Sequence, residues 1–451
     1  MIRKFLRKVF RHTNTDRGLI TEPSLIDAEK HGLKRQDLSP AAVKTCTVLQ
    51  QAGHKAYIVG GAVRDLLAGI PPKDFDVATS ATPEEVRKLF RRSRIIGRRF
   101  RIVHVMNGRE TIEVSTFRAL HEADTLTDEH GRVLADNVFG SQAEDAARRD
   151  FTVNALYYDP TENVIVDYHH GVADLEQKTL RMIGDPRVRY REDPVRMLRA
   201  IRLGAKLGLV IDPAARNPIR EMAELLNNVP SARLFDETLK LLMSGYAAPC
   251  LKQLREEGLH HGLLPLLDVV LEQPLGERFV WLALENTDAR VRQDKRVSPG
   301  FLFATLLWHE VLANWEERKA AGETPQPALF AAMDKVLDVQ ARKLAITRKI
   351  SGDIKDIWAL QPRFEKRNGR APYRLIEQPR YRAGWDFLRL RAQAGEIDMA
   401  LPDWWNDFAH GNPEKREALI QQAPADPAPG NRRRRRRKPR HGNAAKSHDA
   451  A

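Results

Sequence analysis

The chain has 451 residues, which is enough for two or three domains with cores of their own. Its two cysteines, Cys46 and Cys250, are too far apart in sequence to form a metal-binding or redox motif, so we expect reduced thiols and a cytoplasmic location. No stretch of the sequence is apolar for long enough to predict a transmembrane segment.

The net charge of +14 is concentrated at the two ends of the chain. Residues 1–20 contain six basic residues and one acidic residue, and residues 411–451 contain eleven basic and four acidic residues. Basic and apolar side chains alternate along residues 1–11, which predicts either a frayed terminus or an amphipathic helix that makes peripheral contact with a membrane or with RNA. Charge held in flexible ends indicates a polyanionic partner rather than an acidic small substrate.

Residues 1–39 are predicted to be a loose, basic lead-in. A helix is predicted over Pro40–Gln51 and a buried strand over residues 57–59. The strand stops at a tight turn, Gly60-Gly61, after which apolar residues at i, i+3, i+4 and i+7 predict a two-turn helix. Because glycines lack Cβ atoms, a triphosphate can approach this backbone and the start of the helix closely.

The next predicted strand contains Asp74-Phe75-Asp76-Val77. Alternate residues of a strand share a face, so both carboxylates are expected on one side and both apolar residues in the core. An Asp-x-Asp pattern alone is more often a solvated strand edge or turn. Two neighbouring carboxylates repel unless a cation lies between them, and Mg²⁺ binds carboxylates together with substrate phosphates. Strand, Gly-Gly turn, helix and Asp pair together predict a site that holds a triphosphate next to a metal ion.

Residues 60–65 (Gly-Gly-Ala-Val-Arg-Asp) and 74–76 resemble the signature of the nucleotidyltransferase family that contains bacterial poly(A) polymerases and tRNA CCA-adding enzymes. The resemblance implies that an RNA 3′-hydroxyl attacks the α-phosphate of ATP and that pyrophosphate leaves. In the implied two-metal scheme, Asp74 and Asp76 hold both Mg²⁺ ions. Gly60, Gly61 and Arg64 are implied to position the triphosphate.

A capping box at Thr82 predicts a helix to about Phe90, followed by two strands near residues 95–105 and 110–117. In the second strand Glu113 lies opposite to the apolar face. It is therefore either a third carboxylate beside the Asp pair or a surface glutamate. Residues 124–136 are polar and are predicted to form a mobile loop.

A second capping box leads to residues 148–155 (Arg-Arg-Asp-Phe-Thr-Val-Asn-Ala), which match another motif of the same family. There the motif helps to hold the nucleotide's sugar and phosphates, which implies this role for Arg149. The planar fork of arginine suits phosphate because it donates two parallel hydrogen bonds. Asp150 either joins Asp74 and Asp76 or grips the ribose, and both alternatives stay open. Taken alone, Arg-Arg-Asp is an ordinary charged helix end.

The third family motif is the Glu-Asp-x-x-Arg segment that contains Asp193 and Arg196. Because Pro194 suits the first helical position, capping of the helix is the plain structural role for Asp193. In the resembling enzymes this segment reads the incoming base, which implies that Asp193 accepts from an amino group and Arg196 donates to a ring nitrogen. The pair selects adenine and cytosine together and does not separate them.

A basic stripe follows on the same predicted helix, formed by Arg196, Arg199, Arg202 and Lys206. The opposite side of the helix is apolar. Such a stripe would be costly to pack against protein and suits phosphates, so Arg199 and Arg202 are expected to bind nucleotide or RNA.

The predicted fold class is α+β. It consists of a mixed-sheet catalytic head (40–185), a helical neck that recognises the base (186–270), a helical RNA-binding body (271–410) and a disordered Arg-rich tail (411–451).

Residues 95–105 match the segment that, in this family, marks poly(A) polymerases rather than CCA-adding enzymes. Arg98, Arg99 and Arg101 around a glycine turn form either a phosphate-binding corner or a solvated basic hairpin. The arginine tail agrees with an enzyme that extends many different RNAs. We therefore expect polyadenylation of RNA 3′ ends that promotes RNA turnover, with RNA-degradation proteins as candidate partners. A tRNA CCA-adding enzyme is the nearer alternative, and a non-catalytic RNA-binding protein is the farther one.

Overall fold

The structure is a computed structural model and describes residues 22–97, 101–120 and 138–423. The predicted N-terminal helix, the predicted loop at 124–136, Arg98, Arg99 and most of the basic tail lie outside these residues. Contacts divide the chain into two compact units, with the boundary between Trp358 and Ala359. This boundary lies inside the segment predicted to be one helical body, and the other domain limits stay predictions.

The first unit begins with a mixed sheet of eight strands within the described ranges. The strands are β1 (Ser24–Asp27), β2 (Ala56–Val59), β3 (Asp76–Thr79), β4 (Ser93–Ile96), β5 (Ile102–Asn107), β6 (Glu110–Thr116), β7 (Leu156–Asp159) and β8 (Val164–Asp167). Their order is β1-β8-β7-β2-β3-β6-β5-β4. β3 and β6 are parallel, and the other neighbouring pairs are antiparallel. The predicted mixed sheet is therefore confirmed.

Six helices of the described chain accompany this sheet: α1 (Ala28–His31), α2 (Pro40–Gln51), α3 (Gly61–Leu67), α4 (Pro83–Leu89), α5 (Gln142–Ala147) and α6 (Gly171–Glu176). One face of the sheet packs on α2 through a core that includes Leu49, Val77 and Val114. The other face carries a smaller core in which Tyr157 meets Ala146 of α5. Both predicted capping boxes, at the starts of α4 and α5, are present. The two faces thus differ: one is filled with apolar side chains, and the other is left partly open for polar residues.

Two elements of the head differ from the prediction. The lead-in contributes β1, which pairs with β8 at the edge of the sheet; this long-range pairing has no local sequence signal. The single strand expected over 95–105 is instead the antiparallel pair β4 and β5. Gly97, with φ of +91°, follows β4 and starts the reversal, because only glycine adopts such a backbone conformation readily.

The rest of the first unit is helical apart from a small parallel pair, β9 (Thr179–Leu180) and β10 (Val210–Ile211). Its helices are α7 (Pro186–Glu192), α8 (Val195–Leu207), α9 (Pro213–Met222), α10 (Ser231–Leu242), α11 (Ala247–Glu256), α12 (Leu267–Glu272), α13 (Gly276–Arg292), α14 (Pro299–Ala320), α15 (Pro325–Ala341) and most of α16 (Arg348–Leu360), which contains the boundary. Aromatic packing joins them; Phe235 of α10 stacks on Phe303 of α14, for example, with ring centroids 5.8 Å apart.

The second unit contains α17 (Ala371–Ile376), α18 (Tyr381–Ala394), α19 (Ala400–His410) and α20 (Pro413–Gln422). Its core is built around Trp405 and Phe408. The predicted disorder from residue 411 is wrong as far as α20, because Asn412 caps this helix and Trp404 donates to the carbonyl of Leu419 at 3.2 Å. Across all described residues, no helix is both long and apolar enough to cross a membrane.

Candidate active site

Two carboxylates lie side by side on the parallel strands β3 and β6. Asp76 is the first residue of β3, and the strand register places it opposite Glu113. Paired residues of neighbouring strands project from the same face, so both carboxylates point away from the core that contains Val77. Asp74 precedes β3 instead of lying in it, because the partner strand β2 ends at Val59, opposite Asp76. The prediction that Asp74 lies in the strand is therefore wrong, whereas the predicted direction of Asp76 is confirmed.

The charge of Asp76 is disfavoured in the protein alone. Its carboxylate reaches solvent but lies in a crowded cleft, and its pKa is raised to about 6. Burial is the largest cause, the charge of Glu113 is the next and Asp74 adds to the effect, whereas Arg149 opposes it. A divalent cation would relieve this repulsion, and an oxygen-only donor set is the one that Mg²⁺ prefers. The residues present therefore fit a magnesium ion.

The turn between β2 and α3 depends on Gly60. Its φ of +68° and ψ of −123° are strained for any residue with a side chain, and a Cβ would lie 3.4 Å from Nη1 of Arg149. Gly61 starts α3 without such a backbone, and a Cβ there would meet Arg64 at an ordinary 3.6 Å. Gly60 thus sets the turn, and contact of either glycine with a triphosphate stays a prediction.

Arg64 makes its contacts inside the protein and is 6% exposed. Its Nε and Nη2 donate to Oδ1 of Asp65 at 2.9 and 2.6 Å, and its Nη1 donates to Oδ1 of Asn154. The other carboxylate oxygen of Asp65 accepts from Lys206 of α8 at 2.6 Å. These bonds fasten α3 to the segment after α5 and to the neck. The guanidinium of Arg64 already has these partners within the protein. Its contact with the triphosphate stays a prediction.

Asp150 belongs to the same network. Its Oδ1 accepts from Asn154 at 2.9 Å, and its Oδ2 lies 3.4 Å from Nη1 of Arg199. Burial opposes ionisation of Asp150, but Arg199 and Asn154 outweigh it and lower the pKa. Of the two candidates for a third carboxylate, Glu113 is thus the one paired with Asp76, whereas Asp150 bonds to the neck.

Arg149 is held by the protein at several atoms. Its Nη2 donates to Oδ2 of Asp145 at 3.1 Å, and its Nε donates to the hydroxyl of Tyr157 at 3.0 Å. Burial alone would lower its pKa, but Tyr157 and Asp145 raise it. A charged, fixed Arg149 beside Asp76 therefore forms one wall of the site.

Arg149 belongs to a group of five arginines that we call the arginine cluster: Arg118, Arg148, Arg149, Arg189 and Arg196. Burial first, and then repulsion by the other four, lowers the pKa of Arg148 to about 9. Burial and the charge of Arg196 lower that of Arg189 to about 10. Crowded guanidiniums favour a bound polyanion. Sequence reasoning assigned roles to Arg149 and Arg196 but none to the others; only Arg148, adjacent to Arg149, carried a local signal.

Asp193 does not cap the helix that follows it. Pro194 is the residue before α8, and no side chain caps this helix. Oδ2 of Asp193 accepts from Nη2 of Arg233 in α10 at 2.7 Å. Oδ1 is buried and has no hydrogen-bond partner among the residues that the structure describes. The capping role is therefore wrong, and Oδ1 is an unused acceptor.

The basic stripe of α8 mostly faces protein carboxylates. Three of its members have such partners: Arg196 pairs with Glu192 at 2.9 Å, Arg199 with Glu237 at 3.7 Å and Lys206 with Asp65 at 2.6 Å. Arg202 forms no hydrogen bond or ion pair with another described residue, and burial lowers its pKa. The expectation that the stripe is too costly to pack against protein is wrong, because these carboxylates compensate the positive charge of its side chains.

Three family descriptions match successive parts of the chain. "Poly A polymerase head domain" matches residues 56–181, "Probable RNA and SrmB- binding site of polymerase A" matches 208–271, and "Polymerase A arginine-rich C-terminus" matches 321–441. The predicted head and its helical continuation thus each have a counterpart.

Individual relatives cover different shares of the chain. It is 43% identical over 452 residues to poly(A) polymerase I of Salmonella typhimurium, with 97% of each chain covered. It is 38% identical over 242 residues to a CCA-adding enzyme of a Geobacillus species, with 54% of this chain and 59% of that enzyme covered. Among solved structures, the CCA-adding enzyme of Bacillus stearothermophilus in complex with CTP has a TM-score of 0.57 at 25% identity, covering 85% of this chain and 83% of that one.

Proposed function

The chain belongs to the family of bacterial poly(A) polymerases, and from this premise we propose how its residues add adenosine to RNA 3′ ends. It is a nucleotidyltransferase that transfers AMP from ATP to RNA and releases pyrophosphate. The predicted fold, enzyme class and function are confirmed, and the alternative of a non-catalytic RNA-binding protein is not supported. The observation that carries our assignment of the site is the paired Asp76 and Glu113 next to the arginine cluster.

Each part of the site then has a role. The arginine cluster apart from Arg196 binds the triphosphate, since its crowded positive charges are stabilised by an anion. Arg149 orients sugar and phosphates, and Arg202 contributes a further phosphate contact. Oδ1 of Asp193 accepts a hydrogen bond from the amino group of adenine while Arg196 donates to a ring nitrogen. Binding of this kind contributes to catalysis by holding the α-phosphate where the RNA hydroxyl can attack it.

Asp74 and Asp76 are the residues that would hold Mg²⁺, with Glu113 as the neighbouring carboxylate. The bound ion supplies Lewis-acid stabilisation of charge on the phosphoryl oxygens. The donor chemistry of the cleft supports this assignment, because its carboxylates repel one another in the protein alone.

Poly(A) addition is favoured over CCA addition by coverage: the similarity to a poly(A) polymerase spans nearly the whole chain, and that to the CCA-adding relative spans about half. The test is to incubate the purified enzyme with an unstructured RNA primer and ATP alone, and with a tRNA lacking its 3′ end plus CTP and ATP. We expect a long homopolymer in the first reaction. Three-nucleotide repair in the second, with no growth in the first, would contradict the proposal.

A pair of isosteric substitutions distinguishes the role of Glu113 from that of Asp150. We expect Glu113→Gln to lower kcat by about 10²-fold with little change in thermal unfolding, because its neighbour Asp76 belongs to the catalytic cleft. Asp150→Asn should instead destabilise the fold by about 3 kcal/mol, since it removes the nearer of the two carboxylates that pair with Arg199 and leaves only Glu237. Kinetics and melting curves of both variants decide between these roles. If the Asp150→Asn enzyme had normal stability but no turnover, Asp150 would be a catalytic residue and not a structural one.

Arg148 provides a test of triphosphate binding. We expect Arg148→Met to raise KM for ATP about 10–100-fold, the effect of losing a charge-assisted hydrogen bond. The ligand-free protein should not be correspondingly destabilised, because the substitution relieves repulsion among five guanidiniums. Steady-state kinetics and thermal unfolding check both statements. Arg187→Met, which removes an exposed arginine paired with Glu221 at 2.6 Å, is the matched control.

The basic tail is expected to hold RNA. Deleting residues 430–451 removes eight basic residues within 431–440, and each lost phosphate contact should reduce the slope of log K against log salt by about 0.7. RNA binding should weaken and become less salt-dependent, while turnover at saturating RNA persists. An unchanged slope, measured by RNA binding at several salt concentrations, would show that these arginines do not contact RNA.

We also propose partners and a cellular location for the protein. RNA-degradation proteins are expected to act on the polyadenylated product. The cytoplasmic location is supported by the two cysteines, which are both buried and unpaired. The proposed peripheral membrane contact rests on residues 1–11, which lie outside the described residues.

A further inference from the structure

A second group of metal-binding side chains lies in the helical part of the first unit. It consists of His260, His261 and Asp268, and one ligand atom from each lies within 4.8 Å of the others. Oδ2 of Asp268 is 2.8 Å from Nε2 of His260 and 3.9 Å from Nδ1 of His261. None of the three residues belongs to the carboxylate pair or to the arginine cluster, so the group is independent of the catalytic cleft.

The local backbone brings the two imidazoles together. Both histidines lie on the short 3-10 helix Leu259–Gly262, where successive side chains are about 120° apart and ordinarily diverge. Here the ring centroids are only 3.9 Å apart, because both rings turn towards Asp268 in the first turn of α12. The side chain of His260 is 5% exposed and that of His261 is 69% exposed. The group therefore has one buried ligand and one that borders solvent.

Asp268 is held in the orientation that a metal ligand needs. Nε of Arg255 donates to its Oδ1 at 3.2 Å, which leaves Oδ2 facing the histidines. Outer contacts of this kind orient the ligands in known metal sites. Nδ1 of His260 is buried without a hydrogen-bond partner among the described residues, whereas Nε2 of the same ring faces Asp268.

We propose that His260, His261 and Asp268 bind one divalent transition-metal ion, for which Zn²⁺ is the best match. Two imidazole nitrogens and one carboxylate oxygen form a three-ligand zinc set that leaves a fourth position open to solvent. Mg²⁺ prefers oxygen ligands only and would not compete. On binding, the ion takes the place of the proton in the hydrogen bond between Nε2 of His260 and Asp268, this proton is released to solvent, and the ion joins the 3-10 helix to α12. Both lie within the segment that matches the RNA-binding description, so the ion fastens a surface of the neck.

The test uses the full chain, stripped with a chelator and dialysed against Zn²⁺ in excess Mg²⁺, with bound zinc measured by elemental analysis. We expect the wild type to hold one more zinc ion per chain than His261→Ala or Asp268→Asn. His261→Ala is the safer variant because its side chain is largely exposed. His410→Ala removes an exposed histidine of α19 and should keep the full zinc content. Co²⁺ in place of Zn²⁺ should give visible absorption of a nitrogen-oxygen site in the wild type and in His410→Ala only.

Thermal unfolding gives a second measurement. An ion that binds the folded state alone raises Tm, so Zn²⁺ should raise Tm of the wild type and of His410→Ala more than that of His261→Ala. Equal zinc content and equal Tm shifts in the wild type and in His261→Ala would overturn the proposal. If Asp268→Asn fails to fold, because Arg255 loses its partner, the comparison with His261→Ala decides alone.

Discussion

Asp74→Asn and Asp76→Asn enzymes should each add nucleotides at least about 10³-fold more slowly than the wild type while keeping their fold and RNA affinity. The expected loss is large because both carboxylates are assigned to the metal. Their side chains make no hydrogen bond or ion pair within the described part of the chain, so Asn breaks no structural contact. In Asp76→Asn the substitution also removes the charge that Glu113 and Asp74 repel, which should leave the free energy of unfolding unchanged or higher.

The measurement is single-turnover extension of a labelled primer, together with thermal unfolding. Asp27→Asn is the matched control: Asp27 is an exposed carboxylate at the end of β1, on the far edge of the same sheet, and should have full activity after substitution. Near-normal turnover of Asp74→Asn or Asp76→Asn in saturating Mg²⁺ would show that the metal is held elsewhere.

Replacing Asp193 should change which nucleotide is added. The buried Oδ1 accepts but cannot donate, so it favours a base that presents an amino group. An Asn side chain offers a donor as well, and Asp193→Asn should therefore lower kcat/KM for ATP by about 10–100-fold and reduce discrimination against GTP. Arg233→Met should produce a smaller loss of the same kind, because Asp193 then lacks the partner that orients it at 2.7 Å.

Primer extension with each of the four nucleotides in turn measures this selectivity. Asp236→Asn, an exposed position on the same helix as Arg233, should retain the wild-type preference. RNA affinity should be equal in all these variants. An Asp193→Asn enzyme that retains the wild-type preference for ATP would remove Asp193 from base recognition.

Local patterns were sufficient to predict much of the head. The strand before Gly60, the two capping boxes and the outward direction of Asp76 are all encoded within a few consecutive residues. Helix α2 begins and ends at the predicted residues for the same reason, since Ser39 caps it and Pro40 occupies its first turn.

What escaped prediction depends on contacts between distant parts of the chain. The sequence left open whether Glu113 lies beside the Asp pair or on the surface, because its place next to Asp76 depends on the register between parallel strands that are separated in sequence by a helix and two further strands. Arg189 enters the arginine cluster from a helix well beyond Arg148, and Arg233 reaches Asp193 from another helix. The ion pair of Lys206 on α8 is of the same kind, because its partner Asp65 lies more than a hundred residues earlier.

The network that runs from Lys206 through Asp65, Arg64 and Asn154 to Asp150 bears on how such chains diverge. These residues are joined to one another, so a descendant that no longer needed catalysis would still lose stability by changing one of them alone. Asp74 and Asp76 make no such contacts and would be the first to be substituted. In a distant homologue, an intact Gly-Gly and Arg-Asp segment would therefore indicate only that the fold is retained. Retention of the two aspartates that make no structural contacts would indicate that the homologue is still an active enzyme.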